Sequence, residues 1–159
     1  WVGLDNFREL FADELFIAGL LHDIGRLAMV VVAPEDYAEV IATSRAQDCT
    51  RQEAEMSVFG YDHAAVGAAL AQRWNFPPEI HDALAFHHAP PGAAPDGPAA
   101  LIHYADAIAK ALDLDGEEDT QLPRLDPATI VALDLDQSSL AQVLSETQAG
   151  SANCPLLLR

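Results

Sequence analysis

The chain has 159 residues, of which 25 are acidic and 8 are basic, so its formal net charge is −17. This length fits one domain, and a hydrophobic share of 50% is enough to build a core. So acidic a chain repels phosphate backbones, which excludes nonspecific nucleic-acid binding and disfavours an anionic membrane face. Abundant alanine and leucine with few β-branched runs favour an all-α fold.

The two cysteines, Cys49 and Cys154, have no CxxC spacing and no secretory context. We therefore expect reduced thiols in a cytoplasmic protein. No uninterrupted apolar run reaches the length of a membrane span, and the nearest candidate, Leu27 to Ala33, is short. The sequence thus predicts no membrane association. It begins at Trp1 and not at Met, as expected of a piece of a longer chain.

The first half of the chain predicts four helices. Apolar residues at helical spacing predict a helix from Asp5 to Leu21. Ile24 to Val32 is apolar nearly all round, which favours a buried helix that ends at Ala33-Pro34. Pro34 opens a helix from Glu35 to Arg45, with Tyr37, Val40 and Ile41 on one face. Thr50 and Glu53 form a predicted capping box for a short helix that ends near Phe59-Gly60.

The second half predicts five further helices. They are His63 to Trp74 (capped by Asp62, with a stripe of Ala64, Gly67, Ala68 and Ala71), Pro77 to His88, Ala99 to Leu112, Asp126 to Leu133, and Gln137 to Gln148. Ala89 to Pro98 is a proline-rich loop, and Asp113 to Asp119 is an acidic connector. We expect a single domain over residues 1–148, with a motif-bearing core at 14–112 and a loosely held tail from Ala149.

The candidate site begins at Gly19-Leu-Leu-His-Asp-Ile-Gly25, where a histidine and an aspartate follow an apolar helix. Charged groups rarely enter such a context unless a site needs them. Imidazole nitrogen and carboxylate oxygen together suit a divalent metal. Downstream residues of the same chemistry extend the candidate set, which consists of His22, Asp23, His63, His87, His88 and Asp106.

This mixture of ligands suits Mn²⁺, Fe²⁺, Mg²⁺ or Zn²⁺ better than a thiolate site would. A carboxylate such as Asp23 could bridge two metals and serve catalysis in that way, because the metals would generate a hydroxide that attacks phosphorus. Each residue also has a structural interpretation: Asp23 could close a helix, His63 and Asp106 could be surface residues, and His87-His88 could interact with a helix dipole. His81 and His103 are less informative, although His103 could lie behind the site.

At this point the sequence resembles the HD superfamily, and more closely its HDOD (HD-related output domain) branch. The carrying stretches are Phe16 to Leu27, Phe59 to Leu70, Trp74-Asn-Phe-Pro77, His87-His-Ala-Pro90 and Leu101 to Ala109. They occur in the right order over roughly residues 14–112.

The resemblance implies an α-helical bundle whose metal ligands come from several helices. It matches His22 and Asp23 to the family's doublet, His63, His87 and His88 to extra ligands of dinuclear phosphodiesterases, and Asp106 to the distal aspartate. The family's first histidine would precede Trp1. His87-His88 lack the Gly-Tyr-Pro signature of cyclic-di-GMP phosphodiesterases, and Arg26 occupies the position of a usual lysine.

Three functional interpretations follow. The first is a signalling output domain of bacteria with a basic protein partner, in which the retained His/Asp cluster either binds a metal or forms a buried polar network. The second is a metal-dependent phosphohydrolase that acts on a nucleotide or cyclic dinucleotide. The third is a helical domain in which the polar cluster is only a hydrogen-bonded structural network.

Overall fold

A computed structural model describes residues 14–91, 96–112, 125, 127–132 and 137–152. In these ranges the chain is helical, with no strand. Helix α1 covers residues 14–21 and is followed by α2 (Ile24–Val32), α3 (Pro34–Gln47), α4 (Arg51–Phe59), α5 (His63–Arg73), α6 (Pro78–Phe86), α7 (Pro98–Ala111), α8 (Pro127–Ala132) and α9 (Gln137–Ala152). The all-α prediction is confirmed. The predicted connector at 113–119 and residues 5–13 of the first predicted helix lie outside the described residues.

Local capping explains several of these helix ends. The Thr50 side chain accepts a hydrogen bond from the Glu53 amide, and the Glu53 side chain accepts from the Thr50 amide, so the predicted capping box is present. The same helix ends at Gly60, whose φ of 78° is readily adopted by glycine. Asp62 caps α5 by accepting from the Ala65 amide, as predicted. These caps fix the α4–α5 turn immediately before His63.

Helices α2 and α5 connect two hydrophobic clusters. One cluster joins residues of α1, α5, α6 and α7, including Ala18, Ala71 and Leu84. The other joins α2, α3 and α4 around Met29 and Val40. Ile24 of α2 packs on the first cluster and Val66 of α5 packs on the second. Displacing either helix would therefore disturb both clusters.

The expectation that Ile24 to Val32 forms a buried helix is wrong in one respect. The segment is helical, but only Gly25 and Met29 are buried, and Val32 is 83% exposed. Hydrophobicity all round a helix indicated burial because it left no polar face to turn outward. The packing covers one side only.

The prediction that no segment is long enough to span a membrane also needs correction. Glu14–Val32, with a mean hydropathy of 1.8, is long and apolar enough to cross a membrane by length and composition, although no single apolar run does so. Residues 22 and 23 form a turn inside this segment, and Asp23 and Arg26 form an ion pair there. Core helices of soluble proteins pass the same test, so this is weak evidence for a membrane span.

The C-terminal boundaries shift by a few residues. The final helix extends to Ala152, four residues past its predicted end, and so includes the start of the predicted tail. Residues 153–159 lie outside the described part. The helices predicted to begin at Pro77 and Ala99 begin at Pro78 and Pro98, where proline loses no intrahelical hydrogen bond.

Helices α2 and α5 approach each other closely at Gly25 of α2. A Cβ atom added at Gly25 would lie 2.0 Å from the carbonyl oxygen of His63 and 2.7 Å from the amide nitrogen of Gly67. Both are backbone atoms that cannot rotate away. Glycine at this position therefore allows α2 and α5 to touch backbone to backbone, and it brings the N-terminal ends of the two helices together.

We predict that Gly25→Ala destabilises the fold by at least about 2 kcal/mol, because the new methyl group forces the α2 and α5 backbones apart. The matched control is Gly19→Ala in α1, where an added Cβ meets no atom within 4 Å. This control should be neutral or stabilising by up to about 1 kcal/mol. Urea unfolding followed by circular dichroism measures both, and equal stability of the two variants would contradict the prediction.

Candidate functional site

Five of the six predicted site residues converge where α2, α5 and α6 meet. We call His22, Asp23, His63, His87 and His88 the histidine cluster. Asp23 is the residue before α2, His63 is the first residue of α5, and His87 follows the last residue of α6. His63 and His87 are fully buried, with exposures of 0% and 1%. The interpretation of His63 as a surface residue is therefore wrong.

The Asp23 carboxylate lies at the centre of this cluster. Its Oδ1 atom is 3.1 Å from His63 Nε2 and 3.7 Å from His87 Nε2. Its Oδ2 atom is 3.1 Å from the Arg26 guanidinium and 3.7 Å from His22 Nε2. His88 Nε2 reaches the cluster through His63 Nε2, at 2.7 Å. One carboxylate thus contacts side chains from three helix ends.

The ring orientation of three histidines is set through Nδ1. His22 Nδ1 donates to the Gly19 carbonyl at 2.7 Å, and His87 Nδ1 donates to the Leu84 carbonyl at 2.9 Å. His63 Nδ1 donates to the Glu55 carboxylate at 2.5 Å. When such a ring is neutral, the hydrogen on Nδ1 leaves Nε2 as the nitrogen that can offer a lone pair. This arrangement is typical of histidines that bind metals.

Glu55 is a site residue that the sequence analysis missed. Its carboxylate is fully buried and accepts hydrogen bonds from the ring and the backbone amide of His63 and from the Tyr37 hydroxyl. The oxygen that accepts from Tyr37, Glu55 Oε1, also lies 3.9 Å from Arg26 Nε. A signal was present, because Glu55 lies on the helix stripe of Arg51, Ala54, Val58 and Phe59. A carboxylate on such a stripe requires buried partners.

His103 also lies behind the cluster. It is buried, and its Nδ1 donates to the His87 carbonyl at 2.6 Å, which fixes the backbone between the two adjacent histidines. The sequence analysis left open whether His103 supports the site, and the structure places it in contact with the site's backbone. His81, in contrast, pairs with Asp82 near the surface.

Asp106 is not in direct contact with the histidine cluster. Its carboxylate accepts a hydrogen bond from Lys110 at 2.8 Å, one helical turn further along α7. It lines a cleft of about 360 Å³ together with His22, Asp23, Arg26 and Lys110, over an apolar floor that includes Ile102. We call this the Asp106 cleft. Asp106 therefore faces the same space as the cluster, from the opposite wall.

The protonation of the cluster follows from burial and charge. Burial alone would raise the pKa of Asp23, but its hydrogen bond with His63 and the charge of Arg26 outweigh burial and hold the pKa well below its usual range. Burial alone would lower the pKa of His63, but hydrogen bonds with Asp23 and Glu55 raise it. Burial is the largest cause, and the charge of His63 the second largest, of the fall in the pKa of His87 to about 4. Burial, followed by the charge of His87, also lowers the pKa of His88.

These properties are compatible with a divalent cation. One ligand nitrogen from each of His63, His87 and His88 lies within 4.8 Å of the others. His87 Nε2 is buried and has no hydrogen-bond partner among the described residues. A buried polar atom without a partner costs free energy. A cation bound there would remove that cost, so the residues fit a metal.

Comparison with known proteins places the chain in a family. The HDOD domain model matches residues 5–90, and the chain belongs to that family. An uncharacterised protein of Treponema pallidum (strain Nichols) is 32% identical over 118 residues, which is 74% of this chain and 23% of that protein.

Two crystal structures are also similar. A protein of Shewanella amazonensis SB2B, provisionally named a phosphohydrolase, is 33% identical with a TM-score of 0.62, over 84% of this chain and 49% of that one. An HDOD domain protein of unknown function from Geobacter sulfurreducens is 24% identical with a TM-score of 0.56, over 82% and 51%. The chain therefore spans about half the length of these proteins. It is an all-α, phosphohydrolase-like HDOD domain.

We predict that Glu55→Ala destabilises the protein by about 3–5 kcal/mol, because it leaves the Tyr37 hydroxyl and the Nδ1 and backbone N–H groups of His63 without their buried acceptor. Glu39→Ala, on the exposed face of α3, is the control and should change stability by less than about 0.5 kcal/mol. Thermal and urea unfolding measure both. A cost below about 1 kcal/mol for Glu55→Ala would show that its contacts are not required.

Proposed function

We propose that this chain is the output domain of a bacterial signal-transduction protein, and that its histidine cluster binds a divalent metal ion. Membership of the HDOD family supports the first part. The observation that carries the second part is the shared direction of the imidazoles: Nδ1 of His22, His63 and His87 is held by a carbonyl or carboxylate. Their Nε2 atoms all lie near Asp23.

The ligands in this proposal are His63, His87 and His88, with Asp23 and His22 beside them and Asp106 as a further ligand from across the cleft. Asp23 would be the bridging carboxylate if two ions bind. Imidazole and carboxylate are compatible with Mn²⁺, Fe²⁺, Mg²⁺ or Zn²⁺, and nothing in the donor set selects one of them. Glu55 and the carbonyls of Gly19 and Leu84 would hold the rings in their ligating orientation.

We further propose a cytoplasmic location and a basic protein partner. A surface of net charge −17 attracts a positively charged protein and steers its approach. The association should weaken as salt screens the charges. A partner complex that is insensitive to ionic strength would contradict this proposal.

A second candidate function is hydrolysis of a phosphate ester in a nucleotide or cyclic dinucleotide. The Asp106 cleft favours it, because an open space of about 360 Å³ adjoins the cluster and is lined by Arg26 and Lys110. A bound metal would supply an activated water and a positive charge for the developing oxyanion. Arg26 and Lys110 would attract the phosphate, and Asp23 and the histidines would fix the reacting centre. No other residue stands out as a general base.

The metal proposal predicts that protein purified without a metal-affinity step contains a stoichiometric divalent ion. Chelation should then lower the free energy of unfolding, by about 2.7 kcal/mol if the free metal had been at 100 times its dissociation constant. Asp23→Asn and His87→Ala should lose the ion, and His81→Ala should retain it. Elemental analysis and calorimetry measure these effects. Metal-free wild-type protein that gains no stability from any of the four ions would support a purely structural network.

A test of turnover separates the two functions. The output-domain proposal predicts no hydrolysis of nucleotides, cyclic dinucleotides or an aryl phosphodiester with Mn²⁺, Fe²⁺ or Mg²⁺ present. Turnover that disappears in Asp23→Ala and persists in His81→Ala would establish the second function instead. Release of phosphate or nucleoside monophosphate, followed by chromatography, is the measurement.

A further inference from the structure

Basic side chains are concentrated beside the histidine cluster. The described residues include five, namely Arg26, Arg45, Arg51, Arg73 and Lys110. Arg45 and Arg73 are exposed and line none of the clefts near the cluster. The other three are half-buried and line two clefts that share Asp23 and Arg26. In a chain with a charge of −17, the described cations are thus concentrated at these clefts, where Arg26 pairs with Asp23 and Lys110 with Asp106.

The second of these clefts is a groove of about 380 Å³. Its lining residues are Asp23, Arg26, Leu27, Val30, Tyr37 and Arg51, and we call it the Arg51 groove. It extends from Asp23 away from the Asp106 cleft, along α2 to the start of α4. Its volume lies within the range of small-molecule sites.

The groove combines cationic and apolar walls. Arg26, Tyr37 and Arg51 line the groove together, and the two positive charges oppose the rise in the pKa of Tyr37 that burial causes. Leu27 and Val30 line the same groove and are 59% and 40% exposed. The carboxylate of Glu55 is fully buried and accepts hydrogen bonds from His63 and Tyr37. It is therefore not exposed to a ligand in the groove. The remaining carboxylate, Asp23, is engaged by Arg26 and His63.

Helix stability does not account for the position of Arg51. It is the first residue of α4, where the positive end of the helix dipole disfavours a cation. Thr50 and Glu53 already cap this helix. The guanidinium geometry of an arginine at this point is well suited to an anion.

We propose that the Arg51 groove binds a small organic phosphate, with its phosphate group on Arg51 and Arg26 and its apolar part against Leu27 and Val30. This site lies beside the proposed metal centre and does not require the metal. A ligand bound there would lie next to the histidine cluster, because Asp23 and Arg26 line both the Arg51 groove and the Asp106 cleft. The proposal therefore adds a ligand class to the output domain.

The test uses phenyl phosphate and inorganic phosphate as probes of the full chain, titrated by ³¹P nuclear magnetic resonance at low salt. Each titration is done after chelation and again with Mg²⁺. Wild-type protein should bind phenyl phosphate more tightly than inorganic phosphate. Arg51→Gln should weaken both probes about tenfold or more, as expected for loss of a charge-assisted hydrogen bond. Arg45→Gln, which removes the same charge outside the groove, should bind like wild type.

The apolar wall has a separate variant. Leu27→Asn should weaken phenyl phosphate several-fold and leave inorganic phosphate unchanged, whereas Val32→Asn, on the same helix outside the groove, should change neither. Equal binding of the probes by wild type, no loss in Arg51→Gln, or an equal loss in Arg45→Gln would overturn the proposal. Each of these outcomes can be observed in the chelated protein. A failure of this proposal is therefore distinguishable from a failure of the cluster to bind metal.

Discussion

The backbone contact between α2 and α5 at Gly25 is the constraint on which the rest of the structure depends. A Cβ atom at this position would overlap the His63 carbonyl, so the two helices approach this closely only because glycine is present. Their contact brings Asp23, just before α2, next to His63, at the start of α5. The same two helices join both hydrophobic clusters. Packing energy from the whole bundle therefore fixes the geometry of a few polar atoms.

Those polar atoms are costly to bury, and the fold compensates for the cost with specific partners. Glu55 is fully buried and accepts from His63 and Tyr37, and Asp23 is held between His63 and Arg26. Because a buried charge without a partner is strongly destabilising, such a network also restricts the arrangement of its members. His87 Nε2 is less well satisfied, since it is buried and has no hydrogen-bond partner among the described residues. A buried imidazole nitrogen in this state is compatible with a bound cation.

The two clefts and the cluster form one continuous polar region on a strongly acidic protein. Asp23 and Arg26 line both clefts, with Lys110 on one side and Arg51 on the other. One similar solved protein is provisionally named a phosphohydrolase, and this chain spans 49% of it. A phosphate-binding site can serve binding alone, because it becomes catalytic only when a nucleophile is also activated. Family membership therefore leaves the choice between binding and catalysis to the site itself.

The sequence by itself determined the helices and singled out the five side chains that meet in the histidine cluster. Periodicity and capping patterns, such as Thr50 with Glu53 and Asp62 before α5, are local, and the structure confirms them. The order of the His and Asp motifs indicated the family, which the HDOD match confirms. Local patterns also misled at Ile24 to Val32, where apolar composition predicted burial and the packing leaves one face exposed.

Only the tertiary structure decided which side chains meet. Asp23, His63 and His87 are separated by 40 and 24 residues, and their contact depends on how three helix ends pack. The role of Glu55 followed from the same packing, since a single glutamate on a short helix does not identify its partner in the sequence. The sequence also predicted Asp106 as a site residue. In the structure its carboxylate pairs with Lys110, and the two line the cleft beside the cluster. Sequence spacing specifies which residues share a helix face, whereas the distance between faces depends on the close packing of the entire bundle.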